Sequence, residues 1–190
     1  MKKTALIILL ILPFLGYSQQ EKLPFHEIGN YPEEYSETNL ISRMIEGLGY
    51  RYYWATESLN EKDLIYKASI DSRTTFEIIE HIYKLSLMIA SSFKNEKIDF
   101  NSEKFSYTEL RERTLNNFNF IFESLKNTSD LSALKIQFDR PRDNTFPFWN
   151  QINGPISDAI WHSGQVVMNR RASGNPLRKG VNVFLGKTTY

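Results

Sequence analysis

The sequence contains no cysteine among its 190 residues. That excludes disulfides, thiolate nucleophiles and cysteine metal ligands. A chain of this length can bury a sizeable core without such staples, and it is too short for two full domains. Charge of one sign is lacking too, with 23 basic against 22 acidic residues. No basic block argues for nucleic acid or an anionic membrane surface. Histidine is scarce, with three copies. There is no phosphate-binding glycine loop, no G-x-S-x-G elbow and no H-E-x-x-H. No internal repeat is visible. The one apolar run, Thr4 to Phe14, falls well short of the roughly 20 residues that span a bilayer.

What is present is a globular composition, 41% hydrophobic and 14% aromatic. Lys2 and Lys3 precede the apolar run, and Gly16 and Ser18 follow it. This pattern predicts a secretory signal peptide over residues 1–18, cut after Ser18. A retained anchor is the alternative. No cysteine follows the run, so a lipid-anchored form is excluded. Cleavage removes two lysines and no acid, giving the mature chain a net charge of −1. The expected product is exported, periplasmic or extracellular, with no membrane attachment.

Residues 19–35 contain proline and read as an irregular segment draped over the surface. Four helices follow. The first spans about Ser36 to Glu57, with Ser36 as N-cap and Leu40, Met44, Leu48, Tyr52 and Ala55 at helical spacing. Gly47 and Gly49 weaken it by about 1 kcal/mol each relative to alanine and allow close approach by a helix or ligand. The second spans about Ser72 to Lys94, with Ile78, Ile82, Leu85 and Ile89 as its apolar stripe. The third spans about Ser106 to Lys126, with Leu110, Phe118, Ile121, Phe122 and Leu125 apolar and Arg111, Glu112 and Arg113 facing solvent. Leu131 to Phe138 reads equally as short helix or strand. Pro141 and Pro147 bracket an aromatic loop holding Phe146, Phe148 and Trp149. The fourth helix spans about Pro155 to Ala172, with Gly154 as N-cap, and stops at Gly174 and Pro176. Val181, Val183 and Leu185 alternate in a strand-like tail over 175–190. The fold class is therefore all-α: a four-helix bundle over 36–174 with an irregular N-terminal segment and an extended tail.

The candidate site lies on the fourth helix. Asp158 and His162 are four residues apart and share a face. On a wheel of about 100° per residue, Asp158, His162, Gln165 and Asn169 line one side and Ile156, Ile160 and Val167 the other. Trp161, Val166 and Met168 flank the polar stripe, so the helix is apolar nearly all round and is expected to be buried. A buried aspartate needs a partner, either a metal or a hydrogen-bonded core neighbour. His81 borders the apolar stripe of the second helix. Glu77, four residues earlier, is a candidate base, ligand or orienting partner for it. His26 has no ligand-spaced neighbour and reads as a surface residue. Two helices presenting His81, Asp158 and His162 to each other would make a three-ligand metal site with open positions.

Three stretches together resemble the DinB/YfiT-like bundles. They are Thr75 to Ile82, containing His81; Asp158-Ala159-Ile160-Trp161-His162-Ser163-Gly164-Gln165, similar to the family's H-x-x-x-H-x-G-Q; and Arg170 to Pro176, closing the helix. The resemblance covers most of the mature chain. It implies a divalent metal (zinc, nickel or manganese) on His81, Asp158 and His162, with Asp158 standing where the family has histidine. It also implies a metal-dependent hydrolase or transferase acting on a small-molecule substrate, and a homodimer. Export argues against the intracellular thiol transferases among the relatives. Two alternatives stay open. One is a non-catalytic module holding an apolar ligand between Tyr52, Trp54 and Trp161. The other is a dimerising structural bundle with Asp158 and His162 as a core pair.

Overall fold

The computed structural model describes residues 22–98, 100, 103–139 and 145–190. The expected signal peptide, its cleavage point after Ser18, and Pro141 lie outside the described residues. Helix α1 spans Glu37–Thr56 and α2 Glu61–Ile65; α3 spans Thr75–Lys94 and α4 Tyr107–Leu125. A short α5 (Trp149–Gln151) leads through one wide turn into α6 (Ser157–Ser173). None of the described helices is long and apolar enough to cross a membrane.

The long helices start where side chains supply the missing acceptors. Ser36 Oγ accepts from the Asn39 amide. Thr74 with Glu77, and Ser106 with Glu109, form reciprocal capping boxes. Such caps contribute about 1 kcal/mol each. Helix α3 begins later than the expected Ser72 because Ser72 closes its own turn, exchanging hydrogen bonds with the backbone of Ser69. The connection before α3 contains α2, a helix the periodicity did not signal; its Asn60–Asp63 capping box holds a single five-residue stretch.

Helix α1 packs on α4 and α6, and α3 packs on the same two, so α1 and α3 are diagonal. The core is filled by Ile45, Leu48 and Tyr52 of α1, Ile78, Ile82, Leu85 and Ile89 of α3, and Leu110, Phe118 and Ile121 of α4. The expected stripe of α3 is thus the buried one. Leu40 of α1 is exposed. Arg111, expected in solvent, is half-buried; it stacks on Tyr53 and donates to Thr56 Oγ1, tying α4 to α1.

Helix α6 differs most from expectation. Its buried residues are Ala159, Ser163, Val166, Asn169, Arg170 and Ser173, a small and polar set. Trp161 and Met168 are 71% and 62% exposed. The helix therefore is not buried all round, because small side chains let its backbone approach the bundle while its large ones point away. Nor is Gly154 an N-cap. Helical backbone already runs from Trp149, and Gly154 kinks it with φ −98° and ψ −109°. The preceding turn is fixed from outside, by Gln151 Nε2 donating to Met88 O (3.0 Å) and Ser92 Oγ (2.5 Å) of α3. Pro155, lacking an N–H, sits in the wide turn at little cost. The far end follows expectation: Gly174 is left-handed (φ 98°) and closes on the carbonyls of Arg170 and Arg171.

Leu131 to Phe138 resolves into both alternatives. A 3-10 turn at Leu131–Ala133 precedes β1 (Lys135–Gln137), which pairs antiparallel with β2 (Thr145–Pro147). In the tail, β3 (Val181–Asn182) pairs with β4 (Lys187–Thr188), and Val183 and Leu185 lie in the exposed turn rather than on a strand. The segment before α1 is pinned, not merely draped. Phe25 is buried against Gly49, where an added Cβ would lie 2.4 Å from the ring, so the glycine admits a side chain rather than a helix or ligand. Ile28 N donates to Gly186 O at 2.9 Å, joining the segment to the tail.

Candidate metal centre

His81 lies in the second turn of α3, and Asp158 and His162 lie one turn apart near the start of α6. Because α3 and α6 are neighbours, the three side chains meet. One ligand atom from each lies within 4.8 Å of the others. His81 Nε2 is 3.1 Å from Asp158 Oδ2, and His162 Nε2 is 3.4 Å from Asp158 Oδ1. The two imidazole rings stand edge to face, centroids 4.6 Å apart. Two ligands about 2.1 Å from a common zinc and 90–110° apart are separated by about 3.0–3.4 Å. The two histidine–aspartate distances, on different carboxylate oxygens, match that separation, and the donor set suits a divalent cation.

The tautomer of His162 is set from behind. Its Nδ1 is 2.8 Å from Gln165 Oε1, an acceptor, so Nδ1 carries the hydrogen. The other ring nitrogen, Nε2, faces Asp158 Oδ1. The two atoms are 3.4 Å apart, a separation at which both could ligate one cation. The pKa of His81 is lowered, first by burial; the hydrogen bond to Asp158 opposes this, and Arg73 and His162 add to it. The imidazole is thereby kept neutral, the form that ligates.

Burial is partial. The side chains of His81, Asp158 and His162 are 27%, 37% and 14% exposed. Asp158 is thus not the buried aspartate the helical wheel suggested, and beside His162 the helix borders a cleft. That cleft, of about 720 Å³, is lined by His162, Gln165, Trp161, Met168, Ile78 and Arg73, among others.

Glu77 does not join the cluster. Its carboxylate accepts from Thr74 N (2.7 Å) and Thr74 Oγ1 (3.0 Å), closing the capping box at the exposed start of α3. Those bonds hold its pKa down, so it is engaged as a helix cap rather than free as a base. His26 is half-buried, not a surface residue. It packs against Tyr53, Trp54 and Tyr190 and bonds the Tyr190 hydroxyl. Tyr52 is sealed in the core and Trp54 sits under the termini, so these two do not share a pocket with exposed Trp161. Sequence reasoning placed Gln165 on the right stripe but gave it no role; its i+3 spacing from His162 was the available signal.

No protein-family model matches the sequence, and no curated protein does. Among solved structures, the fold is similar to a DinB family member protein from Shewanella denitrificans. The two share 14% identity over 80% of this chain and 91% of that one, with a TM-score of 0.50. An identity this low speaks to architecture alone: the chain has a DinB-like fold, a helical bundle in which a histidine–aspartate–histidine cluster could hold a metal ion.

Proposed function

We propose that His81, Asp158 and His162 hold one divalent cation and that the protein is an exported metal-dependent hydrolase or transferase. The observation that carries the reading is the convergence of ligand atoms from His81, Asp158 and His162, with Gln165 holding the opposite nitrogen of His162. Two imidazoles and one carboxylate suit zinc, nickel or manganese and leave coordination positions open. A cation there would supply Lewis acidity, polarising a substrate oxygen and acidifying a water. The chain's own residues do the rest. Gln165 orients His162, Asp158 offsets the cation's charge, and the neighbouring cleft admits a small molecule. Export is inferred from the leader-like residues 1–18.

The rival reading is a structural bundle in which His81 donates to Asp158 with no cation. It is favoured by their direct 3.1 Å contact. Elemental mass spectrometry on the mature, untagged protein separates the two. About one divalent ion per chain, lost from His81→Ala and His162→Ala, is expected. No ion after incubation with zinc, nickel and manganese would sink the metal reading.

A further inference from the structure

The cleft beside His162 has two unlike walls. One is apolar: Trp161 and Met168 stand exposed, and buried Ile78 also lines the cleft. Single exposed apolar residues are ordinary. Here two large ones flank a hollow of about 720 Å³, within the roughly 300–1,000 Å³ typical of small-molecule pockets. The other wall carries Arg73. Among the described residues its guanidinium has no hydrogen-bond or ion-pair partner; its charge is felt instead at Glu77 and His81. A guanidinium presents a planar fork that matches a carboxylate with two parallel hydrogen bonds. No second cationic side chain lines the cleft. The remaining polar groups, the Ser72 hydroxyl and the Gln165 and Asn169 amides, add no charge. One unpaired arginine suits a carboxylate better than a phosphate dianion.

We propose that the cleft binds an apolar organic carboxylate, with Arg73 pairing the carboxylate, Trp161 and Met168 covering the apolar body, and the reacting group directed toward His162. This rests on the metal reading above for the position of the reacting group, while the binding wall stands on the cleft itself.

The test uses 4-phenylbutyrate as probe and 4-phenylbutanamide as its neutral counterpart. Both are titrated into the ¹⁵N-labelled mature protein, zinc-loaded and chelator-treated. The three tryptophans give three indole signals, and Trp161→Phe identifies the one at the cleft. The acid is expected to shift the Trp161 signal saturably and leave that of buried Trp54 in place. Arg73→Gln, at an exposed position, is expected to weaken the acid roughly tenfold or more, and the amide to bind wild type about as poorly. Equal affinity of acid and amide, or an unchanged affinity in Arg73→Gln, overturns the proposal, as does a Trp161 signal that never moves. Zinc content is read separately on the same samples. Arg73-dependent binding in a protein that takes up no zinc supports the carboxylate wall and overturns the metal centre alone.

Discussion

Near its start α6 presents Asp158 and His162; near its end it presents Arg170 and Ser173, with Asn175 just beyond. Each group surrounds an aspartate, and the two aspartates have opposite company. Asp63, from α2, is fully buried and meets only donors. The Ser173 hydroxyl, the Asn175 amide (2.6 Å) and the Asn60 backbone N–H (2.9 Å) all point at its oxygens. Arg170 lies alongside, donating to the carbonyls of Trp54 (2.9 Å) and Ala55 (3.1 Å) at the end of α1. Asp158 is half-exposed and faces two imidazole nitrogens. A carboxylate whose lone pairs are all matched by fixed donors is a brace. A carboxylate shared between two imidazole nitrogens from different helices is one corner of a candidate coordination site. One helix thus carries a stabilising network at one end and a candidate reactive one at the other.

The comparison is sharpest under parallel substitution. Asp63→Ala leaves the buried Ser173 hydroxyl and the Asn175 amide without their acceptor and removes the charge that offsets buried Arg170, so a loss of about 3–5 kcal/mol in urea unfolding is expected, with metal content per folded chain unchanged. Asp158→Ala is expected to do the reverse, abolishing metal uptake while moving stability by less than about 1 kcal/mol. Equal stability losses from the two would erase the distinction. Next in size is Gln165→Ala. Freed from Gln165, His162 can rotate or change tautomer, and metal affinity should fall roughly 10–100-fold with little change in unfolding. Competition with a chromogenic zinc chelator measures it; an unchanged affinity would mean that Gln165 does not orient the ring.

These two ends were not equally legible in the sequence. The metal-site residues announce themselves by spacing: Asp158 and His162 are one turn apart, and His81 is one of three histidines in the chain. The brace does not, because Asp63 sits in a five-residue helix whose partners lie 110 and 112 positions away. Arg170 to Pro176 stood out as a motif, but its role required knowing that α6 ends against α1 and α2. The long helices were readable because caps and apolar stripes are local. The exposure of Trp161 and Met168 was not, since a helical wheel ranks hydrophobicity and cannot see that Ala159 and Ser163 are the residues small enough to pack. Glu77 illustrates a related ambiguity: three residues after Thr74 it satisfies the capping rule as well as the ligand rule, and in the structure it closes the cap.

The smallest effect is a pH dependence that separates the brace from everything else titrating in acid. Burial alone would raise the pKa of Asp63, but the hydrogen bonds from Asn175, Asn60 and Ser173, together with the Arg170 charge, outweigh it and leave the carboxyl below its ordinary value. In the unfolded chain the same group titrates near about 3.9. Between the folded and unfolded values the unfolded state binds the extra proton, so stability rises with pH there. The contribution is complete above about pH 4 and drains away as pH falls through the folded value. Glu27, Glu77, Glu109 and Asp130 are also depressed and slope the same way, so the wild-type curve by itself does not isolate Asp63. The difference between wild type and Asp63→Asn does, because the amide cannot titrate while the other carboxylates are common to both. That difference is expected to be constant from about pH 7 to 4 and to shrink below about pH 4. A gap that stays constant down to pH 2 would mean that Asp63 is held by packing rather than by its charge, and the contrast with Asp158 would lose its electrostatic basis.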